Sequence, residues 1–157
     1  MKTEKQVTPV QILLADDDPD DRAFFAAALT EIANPTRLST VQNGEELMDL
    51  LANENLKLPD VLFLDLNMPR KNGFECLIEI DANEKLKDLS VIIFSTSYPQ
   101  NKNYELNLIN TLFRMGAQVY IRKPNDFNQL KQLIRHTLAM TSEKMDSGCE
   151  IKYILNA

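Results

Sequence analysis

The chain has 157 residues, enough for one domain with a full hydrophobic core and too few for two ordinary ones. Apolar residues at 44% and charged residues at 25% match an average soluble protein, which excludes a disordered or fibrous class. A formal charge of −6 and a pI near 4.8 argue against nucleic acid, whose phosphates are gripped by Lys and Arg. No run of about 18 apolar residues offers a membrane span, and none follows the opening MKTEKQVTP to form a signal peptide, so a cytoplasmic protein with no membrane partner is expected. Cys76 and Cys149 lie far apart without CxxC spacing, and His136 is the one imidazole, so structural zinc and a disulfide framework are not expected.

Taken in chain order, short apolar runs alternate with segments of helical spacing. Ile12 to Ala15 reads as a strand buried on both faces, because it is apolar throughout and lacks alternation. Phe25, Ala28, Leu29 and Ile32 then recur at i, i+3, i+4 and i+7, which predicts a helix from about Pro19 to Ile32 with that stripe inward. A weaker strand falls around Arg37 to Val41. Asn43 with Glu46 three residues later has the capping-box pattern and opens a helix through Leu47, Leu50 and Leu51. Val61 to Leu64 is the next strand, and Gly73 to Asn83 the next helix. Val91 to Phe94 and Val119 to Ile121 are further strands, separated by a helix within Tyr104 to Met115. Asp126 is placed to cap a last helix to about Met140, with Phe127, Leu130, Leu133, Ile134 and Leu138 on its apolar face. Five β-α repeats with short crossovers imply parallel strands covered by helices on both faces. The tail 141–157 is polar and then carries IKYIL, which fits either a frayed end or an added strand.

In such a sheet the ligand site lies beyond the carboxyl ends of the strands. Asp16, Asp17 and Asp18 end the first strand and Asp65 ends the third, so adjacent placement gathers carboxylates that repel unless a cation intervenes. The donors are all oxygen, which suits Mg²⁺ keeping several waters better than Zn²⁺ or a protein-only Ca²⁺ cage. Ser95 ends the fourth strand and Lys123 the fifth. A hydroxyl donor and an ammonium at the same edge would complete a pocket for a transferred phosphoryl group, with the central Asp65 as nucleophile.

The segments LLADDD, LFLDLNMPRKNG, IIFSTS and YIRKP, in that order, resemble the receiver domain of two-component response regulators, of the type that stands alone without an output domain. The resemblance spans about 10–140, with 1–9 as an N-terminal extension and 141–157 as a tail. It implies an α/β, flavodoxin-like doubly wound (βα)5 fold with a five-stranded parallel sheet in the order 2-1-3-4-5. It implies that Asp65 is the phosphoacceptor, that Asp17 binds Mg²⁺ directly (Mn²⁺ being a substitute), and that Asp16 acts through a metal-bound water. The main-chain carbonyl of Asn67 would be a further ligand, and Lys123 would contact the phosphoryl oxygens. Pro124 matches a cis-proline position, and Gly73 a loop glycine where φ > 0 is often required. Ser95 and Tyr120 match the switch pair, Tyr120 turning inward after phosphorylation, while Asn67 and Ser97 match positions that tune hydrolysis.

The implied partners are a sensor histidine kinase or histidine phosphotransfer protein, and a downstream protein effector. Effector binding, or homodimer formation, would use the surface of the fourth helix, fifth strand and fifth helix. Two other classes are weighed against this one. A receiver that binds constitutively would not need the intact Asp16, Asp17, Asp65, Ser95 and Lys123. A haloacid-dehalogenase-type phosphatase would need an acid where Asn67 stands. The chain is therefore expected to catalyse its own modification and to turn over no separate substrate. The segment 97–107, longer than in compact receivers, reads as a tolerated surface insertion.

Overall fold

Runs of Val, Ile, Leu and Phe too short for helices form the centre of the molecule. In the computed structural model, which describes residues 8–96, 102–147 and 153–155, they make β1 (Val10–Ala15), β2 (Thr36–Val41), β3 (Val61–Leu64), β4 (Ser90–Ser95) and β5 (Val119–Arg122). All pair in parallel in the order β2-β1-β3-β4-β5, as the repeat pattern and the resemblance imply. A sixth strand, β6 (Tyr153–Leu155), continues the sheet parallel to β5, so the YIL of IKYIL supplies an added strand.

The continuous apolar character of the strands is explained by the two layers. Ile12, Leu14, Val61, Phe63, Ile92, Phe94, Val119 and Ile121 enter one core, with Phe25 and Leu29 of α1 (Pro19–Thr30) and Leu130 and Ile134 of α5 (Phe127–Ser147). Leu13, Ala15, Leu62, Leu64, Val91, Ile93 and Tyr120 enter the other. They pack against α2 (Gly44–Ala52), α3 (Gly73–Ala82) and α4 (Lys102–Arg114). Alternate residues of each strand face opposite layers, and both layers need apolar side chains. Phe25, Phe63 and Phe94 meet edge-on in the first core, with ring centroids 4.9 to 6.2 Å apart.

The caps explain where the helices begin and stop. Asp18 accepts from the Asp20 N–H at the start of α1, and α1 closes at Thr30, short of Ile32, where Glu31 N–H turns back to the Ala28 carbonyl. Asn43 caps α2 through the Glu46 N–H, but Glu46 reaches back to the N–H of Gln42, one residue beyond the expected box. The complete reciprocal box is at Asn72 and Glu75, before α3. Residues 102–107 of the expected insertion are the first turns of α4, and 97–101 lie outside the described residues. No described helix is long and apolar enough to cross a membrane.

Candidate functional site

Register brings the acids together. Ala15 pairs with Leu64, and the Asp65 N–H donates to the Ala15 carbonyl at 3.0 Å, so Asp16 and Asp65 leave neighbouring strands side by side. One carboxylate oxygen from each of Asp16, Asp17 and Asp65 lies within 4.8 Å of the others. Asp16 and Asp65 are buried and Asp17 is exposed. From β5, the Lys123 N–H donates to the Ser95 carbonyl at 2.8 Å, which carries that side chain to the same rim. Its Nζ donates to Asp16 Oδ2 at 2.8 Å, Asp21 Oδ2 at 3.0 Å and Asp65 Oδ2 at 3.4 Å.

Burial pushes the Asp65 carboxyl up to about 6, against the pull of Lys123 and with help from the charge of Asp16. Burial also works against the Lys123 charge. The hydrogen bonds that Lys123 donates to Asp16 and Asp21 and the charges of Asp65 and Asp16 outweigh it and hold the ammonium above the usual lysine range. Asp65 Oδ1 accepts the Asn67 N–H at 3.2 Å, and Asp16 Oδ1 accepts the Asp18 N–H at 3.0 Å. Ser95 Oγ is fully buried and, among the described residues, has no hydrogen-bond partner. A buried hydroxyl left so is costly unless a further acceptor reaches it. The all-oxygen donor set fits a hard divalent ion, and the orphaned hydroxyl fits an incoming anionic oxygen.

Three expectations need correction. Gly73 does not have positive φ; the positive φ in this loop belongs to Arg70, at 68°. Glycine is required at 73 because a Cβ there would lie 2.4 Å from the Asp65 carbonyl oxygen. No cis peptide occurs among the described residues, so the bond before Pro124 is trans, and Lys123 is aimed by its three carboxylate partners instead. Tyr120 is already inward: it is 0% exposed, and its hydroxyl bonds to Glu105 Oε1 at 3.4 Å. Ser97 lies outside the described residues.

Asp21 and the Glu105–Arg122 pair were not singled out by sequence. Glu105, on α4 and 2% exposed, takes Arg122 Nε at 2.6 Å and also bonds Arg122 Nη2, which ties α4 to β5. Asp21 could have been suspected from its place one turn beyond the strand-end acids; Glu105 carried no local signal.

The strand order and the oxygen-lined acidic rim define a flavodoxin-like α/β domain with a cluster of carboxylates at the carboxyl edge of its sheet. The chain belongs to the response regulator receiver domain family, whose profile matches residues 12–135. A probable C4-dicarboxylate response regulator, DctR of Bacillus subtilis, is 31% identical over 147 residues, covering 87% of this chain and 60% of that protein. This chain thus spans about three-fifths of that relative's length. Response regulator Rcp1 of Synechocystis is 32% identical over 131 residues, covering 81% of this chain and 85% of Rcp1. The crystal structure of the phosphorylated cyanobacterial phytochrome response regulator RcpA superimposes with a TM-score of 0.71 at 29% identity, covering 90% of this chain and 97% of that one. The Mn²⁺-bound form of Rcp1 gives 0.70 at 26% identity, covering 83% and 93%.

Proposed function

We propose that residues 10–140 form a phosphoacceptor receiver that takes a phosphoryl group on Asp65 from a sensor histidine kinase or histidine phosphotransfer protein. The observation that carries this reading is the convergence on Asp65 of two further carboxylates and the Lys123 ammonium, at a rim where β4 also ends in the unpartnered Ser95 hydroxyl. The side chains of Asp16, Asp17 and Asp65 and the main-chain carbonyl of Asn67 would hold Mg²⁺ or Mn²⁺, Asp16 through a water. When bound, the ion would supply positive charge that offsets the repulsion of an anionic donor by the acid cluster. The structural relative crystallised with Mn²⁺ supports this choice.

An oxygen of Asp65 attacks phosphorus in line with the donor P–N bond. That bond breaks with its electron pair left on the imidazole nitrogen, and the ring regains a proton from solvent. Lys123 and Ser95 donate to the phosphoryl oxygens as charge gathers there. Engagement of Ser95 shifts the population of conformations at the carboxyl end of β4. The surface of α4, β5 and α5 then changes for a protein effector or a second copy of the chain. The chain acts in the cytoplasm, turning over no separate substrate.

The test is labelling by acetyl phosphate or a histidine kinase. Wild-type labelling requires a divalent ion and falls to background in Asp65→Asn; wild-type labelling of that variant would refute the assignment. Neither Asn67 nor Ser97 is acidic, so no strong built-in hydrolysis is proposed. The expected half-life at neutral pH therefore extends well beyond seconds, measured by loss of label.

A further inference from the structure

An ammonium has three N–H groups, and in Lys123 all three are taken by carboxylates: Asp16, Asp21 and Asp65. These acids are not equivalent. Asp16 and Asp65 belong to the cluster whose oxygens can hold a metal ion, and Asp21 does not. Asp21 stands instead on the first turn of α1, with its side chain 38% exposed. A divalent ion and the Lys123 ammonium therefore draw on the same two carboxylates, Asp16 and Asp65, while Asp21 is outside that competition. Asp65 makes the longest of the three bonds and is the easiest for the ammonium to release.

We propose that Asp21 is a positioning residue for Lys123, holding the ammonium to α1 through a carboxylate that neither metal nor phosphoryl group claims, and so giving it a partner to keep when a metal ion draws on the carboxylates of Asp16 and Asp65. This deepens the reading of Asp65 as a metal-assisted phosphoacceptor and rests on it. A duller role for Asp21, complementing the α1 dipole among Asp20 and its neighbours, affects stability but leaves Lys123 untouched. Simple long-range attraction of a cation by Asp21 acts equally with or without Lys123.

Both rivals are separated by calorimetric Mg²⁺ titration at constant ionic strength. The proteins are wild type, Asp21→Asn and Asp21→Glu, with Asp21→Asn repeated in a Lys123→Met background. Asp21→Asn is expected to weaken Mg²⁺ binding on the order of threefold to tenfold. Asp21→Glu recovers most of that loss, and the loss disappears when Lys123 is Met. No loss, or an equal loss in the Lys123→Met background, overturns the proposal. In metal-free protein the ¹H–¹⁵N ammonium resonance of Lys123 should shift and exchange faster in Asp21→Asn, and an unchanged resonance also overturns it. If wild type binds no Mg²⁺, the metal reading itself fails, and the ammonium resonance alone decides the tether.

Discussion

Asp65 is buried where its charge is useful and costly at once. Desolvation is the largest influence on its carboxyl and lifts it from 3.8 to about 6, even with Lys123 within reach. A carboxylate raised in the folded state binds more protons than in the unfolded chain across that window. Its contribution to stability is therefore full below about pH 4, falls as pH rises through about 6, and stays lost above. Asp65→Asn should thus stabilise the metal-free protein above pH 6 by on the order of 2 kcal/mol, with the gain shrinking towards pH 4. Urea unfolding at several pH values measures this, and a gain that grows on acidification would contradict it. The buried Cys76 thiol is pushed up to about 11, chiefly by desolvation, and serves packing beneath α2, where its Sγ lies 3.6 Å from the Gly44 carbonyl.

Elements meet the site through close backbone approaches. A Cβ on Gly44 would fall 2.1 Å from the Lys71 carbonyl oxygen, and one on Gly73 equally strikes Asp65, so α2 and α3 press directly on the loop after β3. At the far end of α4, Gly116 has φ of +106° and faces Asp81 of α3, with Oδ1 3.0 Å from where a Cβ would stand. Gly116→Ala should cost roughly 1–3 kcal/mol, read as a lower urea midpoint with an unchanged m-value. The opposite end of α4 is held by Glu105 to Arg122 and Tyr120. Arg122 pairs across the sheet with Ser95. The residue next to Lys123 therefore anchors α4, one of the elements of the proposed signalling surface.

For the whole molecule, the carboxyl ends of β1, β3, β4 and β5 converge on one rim, β1 delivering two carboxylates and each of the others one chemical group. Gathering three carboxylates there leaves net negative charge that Lys123 only partly offsets. A ligand that binds only the folded state stabilises it by mass action, so Mg²⁺ at about 100 times its Kd should add about 2.7 kcal/mol. For a domain of this size that raises Tm by roughly 5–10 °C. Sodium chloride at equal ionic strength should produce little of this, and neither should Mg²⁺ added to Asp17→Asn; equal shifts in all three would remove the specific site.

The amino-acid order by itself determined the β-α alternation, the strands buried on both faces, and the strand-end positions of Asp16, Asp65, Ser95 and Lys123. These depend on local periodicity and on the rule that parallel sheets bind at their carboxyl edge. Only the tertiary structure decided which carboxylates share the Lys123 ammonium, that Tyr120 lies inward against Glu105, that Gly73 answers a close approach and not a positive φ, and that Tyr153–Leu155 extends the sheet. Such facts arise between residues distant in sequence, such as Asp21 and Lys123 or Glu105 and Arg122. Their distances are set by how α1 and α4 pack on the sheet, and local sequence pattern carries no term for that packing.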